Sequence, residues 1–567
     1  MGLSPTSSTR PAPHAGTGTT ELPDAPRAPA ATPESAGTPR TAAAQTALPG
    51  REAVRTAAGT PTGNTSPIAA SGAHPDDAPP IAASGTQADD VSPIIASGTQ
   101  ADDVSPIIAS GTQADDVSPV AASGAPADYA SPIAASPMPA YRDEWEQRLL
   151  DDPDLLGDIA FAIGGPFHVM YPARVGRNID GFRAVFERFG VEGAIFYGKK
   201  ANKAGCVVRA CAEHGAGVDV ASVGELRAAL AHGVRGDELV VTGPAKSEEL
   251  LWLAARHGAL IAIDELGELN RLVALGLPAR VLLRVLPPGS SSRFGMTDGE
   301  LDIALTGTDL GPVRLEGFSF HLSGYDPVAR SEMAAALVDR CRAARALGHP
   351  VFTISIGGGF AVDYVPADAW REFTEHAGPH WFHAGKRFDS YYPYHCPAPG
   401  AAMLAAVLEH GKLGTLLRDN GIRLAIEPGR ALLDRAGSTV FRVQGAKTRT
   451  AHDHPYQLLT VDGTSLSLSE QWFDSEYLPD PALWPARPGD PAPAAVGAAT
   501  CLESDLLSWR RIPLPRAAEP GDLLVYPNTA GYQMDSNESP FHQLPIPPKV
   551  VLHDAPDGRL RWTLDAE

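Results

Sequence analysis

Two adjacent lysines, Lys199 and Lys200, close an apolar run (Gly193-Ala194-Ile195-Phe196) within YGKKAN, residues 197–202. A primary amine at a strand end, flanked by cations and low-dielectric walls, is expected to have a lowered pKa and to attack a carbonyl carbon. Other reactive or anion-binding residues follow, each at the end of a further apolar run. They are Asp219 to Ser222 in GVDVAS, Arg284 in RVLLRVL, His321 and Ser323 in GFSFHLSG, Gly357-Gly358-Gly359 in ISIGGGF, and Glu427-Pro428-Gly429-Arg430 in AIEPGR. Glycines let backbone N–H groups approach an oxyanion such as phosphate, and Arg430 could add charge there. A buried carboxylate such as Glu427 requires a cationic partner, which a protonated ring nitrogen would supply. His321 is placed to lie flat on an aromatic ring. Singly, each has an ordinary explanation: a turn, a satisfied core histidine, a lysine snorkelling at the surface. Their recurrence at successive strand ends describes one site for a molecule carrying an anion, an aromatic ring and an electrophile.

Eight strands must position these groups. The candidates are 194–199, 218–222, 239–243, 260–264, 280–286, 316–322, 352–357 and 423–428. Most are β-branched or aromatic and lack polar alternation, as strands buried on both faces do. Helical patterns lie between most of them, such as SVGELRAALAHG, where Ser222 and Glu225 fit a capping box. Strand–helix alternation repeated eight times predicts a closed parallel (β/α)8 barrel, an α/β TIM-type fold whose reactive groups gather at the C-terminal ends of the strands. The stretch PPGSSSRFGMTDGELDIAL is expected to be a loop without a helix. Residues 360–421 carry HWFHAGKRFDSYYPYHC and are expected to form an insertion over one barrel face. After residue 435, short β-type runs with Gly/Pro/Asp punctuation predict a mostly antiparallel β domain. FHVMYP (167–172) is either a strand of that domain or a lead-in to the barrel. The expected organisation is a disordered Ala/Pro/Ser-rich tail over 1–140, a lead-in segment of the β domain over 141–165, the barrel over 166–434 and the β domain over 435–567.

Within the tail a 13-residue unit, SPIIASGTQADDV, repeats, its proline recurring at Pro67, Pro80, Pro93, Pro106, Pro119 and Pro132. Each unit offers too few apolar residues to offset the entropy of ordering it. The net charge of −21 over 567 residues argues against nucleic acid or an anionic membrane as partner. No apolar run is long enough to span a bilayer, and the N-terminus lacks a secretory pattern. Five cysteines without pairing-type spacing are read as reduced thiols of a cytoplasmic protein. His452-Asp453-His454 has metal-binding residue types but no further ligand pattern, so no metal site is expected.

Phosphate, pyridinium and an imine-forming lysine together describe pyridoxal 5′-phosphate. The motifs YGKKAN, GAGVDVASVGEL, SRFGM, GFSFHLSG, ISIGGGF, EPGRALL, CLESD and GDLLVYPNTAGY stand in the order and spacing of the fold-type III pyridoxal-phosphate decarboxylases. Over about 165–550 the chain resembles that family, which includes diaminopimelate, ornithine and biosynthetic arginine decarboxylases. The resemblance implies that Lys200 forms the Schiff base, His321 stacks on the cofactor ring and Glu427 holds the pyridinium nitrogen. It implies further that Gly358, Gly359, Gly429, Arg430, Ser323 and Tyr532 surround the phosphate, with Asp219 also in the cofactor site. Cys501 would come from the partner subunit of a homodimer with shared sites and reprotonate the substrate Cα after CO2 leaves.

The chain departs from the family pattern in three places. His321-Leu322-Ser323-Gly324 swaps the usual order of the small residues. Leu502 separates Cys501 from the acid Glu503, while Asp505 keeps its usual spacing. VDGTSLSLSEQWFDSEYLP lacks the Arg-Pro-x-x-Tyr segment that meets the distal carboxylate of diaminopimelate. These changes argue against diaminopimelate and for another amino acid, free or carrier-bound. Glu503 and Asp505 are candidates for binding a distal amine. Two alternatives stand beside decarboxylation: a racemase or epimerase on the same fold, and a catalytically silent homologue that acts by binding.

Overall fold

The computed structural model describes residues 133–468, 474–535 and 539–566. The 13-residue repeats and the expected disordered tail lie outside them, apart from the tail's last residues, 133–140. Eight strands close a barrel: β2 (Gly193–Gly198), β3 (Gly217–Val220), β4 (Leu239–Val241), β5 (Leu260–Ile263), β6 (Ala279–Arg284), β7 (Val313–Ser319), β8 (Thr353–Ser355) and β9 (Arg423–Ile426), preceded in the chain by β1 (Phe167–Met170). Every neighbouring pair runs parallel, and β2 pairs with β9 to complete the ring. All eight strand candidates are therefore barrel strands. Phe196, Val240, Leu260, Leu282 and Ala425 form a buried cluster contributed by five of these strands, so the barrel centre is packed core and ligand space is left at the mouth.

The segment expected to be a plain loop after β6 does carry a helix, Asp298–Thr306. Its start is a capping box that the sequence TDGE already spelled: Glu300 N–H donates to Thr297 Oγ1 at 3.4 Å, and the Glu300 carboxylate accepts from Thr297 N–H at 2.8 Å.

The second unit of structure is a nine-stranded sheet built on β10 (Gly437–Ala451), β11 (His454–Val461), β12 (Ala482–Trp484), β13 (Ala492–Gly497), β14 (Leu506–Leu514), β15 (Leu523–Tyr526), β16 (Lys549–Asp554) and β17 (Leu560–Leu564). β1 is its ninth strand, antiparallel to β10 and parallel to β16, so FHVMYP belongs to the sheet and is no lead-in to the barrel. Helices Glu144–Asp151 and Leu155–Ile163 bury Trp145, Leu149, Leu156 and Ile159 against Val169, Val440 and Val525 of the sheet. His452 and Asp453, two of the three residues with metal-ligand character, are the left-handed turn of the β10–β11 hairpin.

The long β8–β9 connection does not simply lie over the barrel. Tyr364, Phe373, Trp381, Phe382 and Tyr394 share a buried cluster with Phe441, Leu459, Tyr477 and Tyr526 of the sheet unit. Arg511 of β14 donates to the Phe382 carbonyl at 2.9 Å, fixing the backbone of this segment to the sheet. No helix among the described residues is long and apolar enough to cross a membrane.

Candidate active site

The turn after β2 sends its two lysines to different surroundings. Lys199 is buried and donates to the Lys203 carbonyl at 3.0 Å. Lys200 turns to the barrel mouth, where solvent reaches its side chain although protein crowds it closely. Burial acts to lower the Lys200 pKa, but Tyr532, Asp219 and Glu427 outweigh burial and Arg284 and leave it raised. This corrects the expectation of a lowered value. The lysines beside it in sequence do not set its field; the acids across the barrel do. The lowered pKa belongs to Lys199, whose burial outweighs the attraction of Glu225 and Asp535.

Asp219 sits opposite Gly198 in the β2–β3 register and accepts from Thr242 Oγ1 at 2.6 Å. Burial first, then the neighbouring Glu427, raises its pKa to about 7, against the pull of Lys200 and the Thr242 bond. Glu427 follows β9, and its Oε1 accepts from Ser355 Oγ at 2.6 Å, which orients the carboxylate. His321, just past β7, is pushed down to about 3 by burial, Lys200, Arg284 and Arg330. Its imidazole is therefore neutral at physiological pH, as a ring that stacks on another ring should be.

The triple glycine is required by geometry. Gly357 and Gly359 have φ of +68° and +78°, conformations that side chains disfavour. A Cβ on Gly358 would come within 2.8 Å of the Glu427 carbonyl oxygen, and one on Gly359 would collide with Arg330 Nη2. Arg330 is fully buried and donates to the carbonyls of Leu322 (2.9 Å) and Gly324 (2.7 Å), which shapes the loop bearing Ser323. A Cβ on Gly429 would lie 3.0 Å from the Tyr532 hydroxyl and 3.1 Å from Ala201 Cβ. Arg430 places its guanidinium over the rings of Tyr392 (4.2 Å) and Tyr532 (5.0 Å) and donates to Gln533 at 3.2 Å.

Lys200, Asp219, His321 and Glu427 thus share one electrostatic neighbourhood, with the glycines, Arg430 and Tyr532 along its wall. Cys501, Glu503 and Asp505 form a separate group on the loop before β14. Cys501 and Glu503 are exposed, and Cys501 Sγ lies 3.5 Å from His542 Nε2. Both Asp505 oxygens are engaged, one by the N–H of Ser465 in the segment after β11 (2.9 Å) and the other by Thr500 Oγ1 of its own loop (2.6 Å). Sequence reasoning missed Thr242, Ser355, Arg330 and Tyr392. Ser355, two residues before the glycines on a strand end, could have been found from strand alternation; the others had no local signal.

The residues present fit pyridoxal phosphate. Close-approach glycines and a guanidinium suit its phosphate, an oriented carboxylate suits its ring nitrogen, a neutral imidazole its ring face and an amine its aldehyde. A barrel mouth so furnished, beside a β sheet unit, defines a pyridoxal-phosphate enzyme of the barrel-and-sheet class. Residues 174–390 match the family described as "Pyridoxal-dependent decarboxylase, pyridoxal binding domain". The chain is 37% identical over 422 residues to the "Uncharacterized protein y4yA" of Sinorhizobium fredii, covering 71% of this chain and 91% of that one. It is 28% identical over 430 residues to the diaminopimelate decarboxylase of Actinosynnema pretiosum, covering 70% and 86%. The solved diaminopimelate decarboxylase of M. jannaschii in complex with L-lysine shares the fold, with a TM-score of 0.58 and 20% identity over 72% of this chain and 90% of that one. The chain belongs to the pyridoxal-dependent decarboxylase family: it is a decarboxylase acting on an amino acid, with pyridoxal 5′-phosphate as cofactor.

Proposed function

We propose that this enzyme removes the α-carboxylate of an amino acid other than diaminopimelate, free or carrier-bound, with Lys200 holding the cofactor and Cys501 of a partner subunit supplying the proton to Cα. The observation that carries the reading is the convergence of Lys200, Asp219, His321 and Glu427 at one barrel mouth. When bound, pyridoxal phosphate would supply a sink for the electron pair left when the Cα–carboxylate bond breaks. Glu427, oriented by Ser355, would hold the ring nitrogen and keep a proton on it. His321, uncharged, would cover the ring and exclude water. Lys200 enters as an ammonium, so it must release a proton before its nitrogen can bond to carbon; Asp219 and Glu427 are the acids in its field.

An exposed Cys501, on the sheet unit and apart from the Lys200 group in the contacts it makes, supports a homodimer in which one chain's loop serves its partner's barrel. Glu503, exposed beside it, would meet a distal amine of the substrate. Asp505, with both oxygens engaged, would shape that loop. Free cysteines, five among the described residues, support a cytoplasmic location.

The test is spectroscopic and chemical. Purified protein should show the absorbance of lysine-bound cofactor, lost in Lys200→Ala, and should release CO2 from at least one member of an amino-acid panel. Cys501→Ala should keep the absorbance and lose product formation. A wild-type protein without that absorbance, or a Lys200→Ala variant that retains it, would overturn the reading.

A further inference from the structure

The segment between β8 and β9 sends one side chain into the wall of the site. Tyr392 lies under the Arg430 guanidinium, 4.2 Å from ring centroid to guanidinium carbon, while Tyr532 holds the same cation at 5.0 Å. The Arg430 stem rests on backbone, since a Cβ at Gly531 would come within 2.8 Å of its Cγ. The Tyr392 hydroxyl is 2.7 Å from that of Tyr325, and the two rings meet edge to face at 80°. Tyr325 stands two residues after Ser323, on the loop that Arg330 pins through the Leu322 and Gly324 carbonyls. One side chain therefore joins the two pieces of the anion corner, the 322–325 loop and Arg430. Tyr392 is anchored in turn by Tyr394, 5.3 Å between ring centroids, and Tyr394 belongs to the core shared with the sheet unit.

We propose that Tyr392 is a positioning residue that clamps Arg430 against Tyr532 and, through Tyr325, sets the distance between Arg430 and the Ser323 loop, so that the enzyme selects the phosphorylated form of its cofactor. A guanidinium held over ring faces keeps its N–H donors at its edge, where they meet an oxyanion bidentately. Without the Tyr392 ring one of the two aromatic faces that fix the guanidinium is gone, and Arg430 gains rotamer freedom at the expense of that geometry. The swap of Ser323 and Gly324 moves the small polar residue of this loop by one position relative to the family pattern, on the loop that Tyr392 meets through Tyr325. This inference rests on the proposed function, in which Arg430 serves the cofactor phosphate.

The experiment compares full-length wild type, Tyr392→Phe, Tyr392→Leu, Tyr325→Phe and the double Phe variant. Each is stripped of cofactor and titrated with pyridoxal 5′-phosphate and with pyridoxal, which lacks the phosphate. Tyr392→Leu removes the ring and should cut the preference for the phosphorylated form about ten-fold while leaving pyridoxal affinity unchanged. Tyr392→Phe keeps the ring and should lose no more than about three-fold. Tyr325→Phe removes the same hydroxyl bridge from its other end, so it should match Tyr392→Phe, and the double variant should be no worse than either. An unchanged preference in Tyr392→Leu, or equal weakening of both ligands, would overturn the proposal. Should the leucine variant fail to fold, additive losses in the phenylalanine pair would overturn it instead. Wild-type protein that binds both forms equally, or binds neither, would sink the reading of the site itself.

Discussion

Asp219→Asn should make the cofactor-free protein more stable than wild type above neutral pH, and no more stable in acid. In the folded chain burial and Glu427 raise the Asp219 carboxyl to about 7. An unfolded aspartate titrates near ~3.9. Between these values the folded state binds more protons than the unfolded one, so wild-type stability falls as pH rises through the window, and the loss is complete above about 7. At about 1.4 kcal/mol per pH unit, the ceiling on the loss is roughly 4 kcal/mol. The side chain is buried, so solvent screening does not discount this, and the attraction of Lys200 is already contained in the shifted value. Asparagine has the same shape and can still accept from Thr242 Oγ1. The assay is urea denaturation of both proteins at pH 4, 5, 6, 7 and 8. The mutant-minus-wild-type difference should start near zero and grow to about 2–4 kcal/mol by pH 8. His321, held neutral with a value of about 3, gives an opposite slope between about pH 3 and 6.5, but both proteins share it and it cancels in the difference. Parallel curves for the two proteins would refute the reasoning, because they would mean that Asp219 titrates alike folded and unfolded.

Two further substitutions test the frame around the cofactor. Ser355→Ala deletes the 2.6 Å bond to Glu427, and a hydrogen bond to a charged group is worth about 1.5–3 kcal/mol. Cofactor affinity should fall about ten-fold or more, equally for pyridoxal and its phosphate, as equilibrium titration with both ligands will show. Gly359→Ala forces a side chain into φ +78° and against Arg330 Nη2, so it should cost about 3 kcal/mol or more, read as a lowered denaturation midpoint and faster proteolysis near residue 324.

The barrel was legible because its strands are buried on both faces and read as unbroken apolar runs, VDVAS and LIAID being clear cases. The candidate groups at the strand ends stand out for the same reason, since a lysine, histidine or glutamate is conspicuous against such a background, and the fold brings Lys200, Asp219, His321 and Glu427 into one field. What could not be read was the field that these groups share. Lys200 has Lys199 and Lys203 as sequence neighbours, which suggested repulsion and a lowered pKa. The fold turns Lys199 away to the Lys203 carbonyl and brings Asp219 and Glu427 close instead. Arg330 and Tyr392 escaped notice because their partners are set by tertiary packing; Tyr392 meets Tyr325 across 67 residues of chain. The aromatic content of 380–396 announced burial but not its destination, since short irregular turns there give no period to assign a face.

The sheet unit fixes the turn on which Lys200, the amine proposed to hold the cofactor, stands. Three residues after Lys199, Asn202 donates to the Ala530 carbonyl at 2.8 Å. Tyr532 N–H donates to the Ala201 carbonyl at 2.7 Å, and Asp535 accepts from the Lys203 N–H. Asp535 is in turn paired with Lys549 of β16 at 2.6 Å. A single turn following β15, residues 530–535, thus grips the backbone just beyond Lys200 and also delivers Tyr532 to the wall facing it. The barrel strand β2 sets only where the chain emerges. The direction in which Lys200 leaves that strand, and its separation from Asp219 and Glu427, depend on hydrogen bonds from the other unit. Within the motif YGKKAN each residue then has its own part. Tyr197 donates to the Asn202 carbonyl at 2.9 Å and closes the turn, Lys199 and Asn202 lock it, and Lys200 is left as the amine turned to the mouth. A barrel lacking its sheet would keep every one of these residues and still lose the hydrogen bonds that hold the turn bearing Lys200.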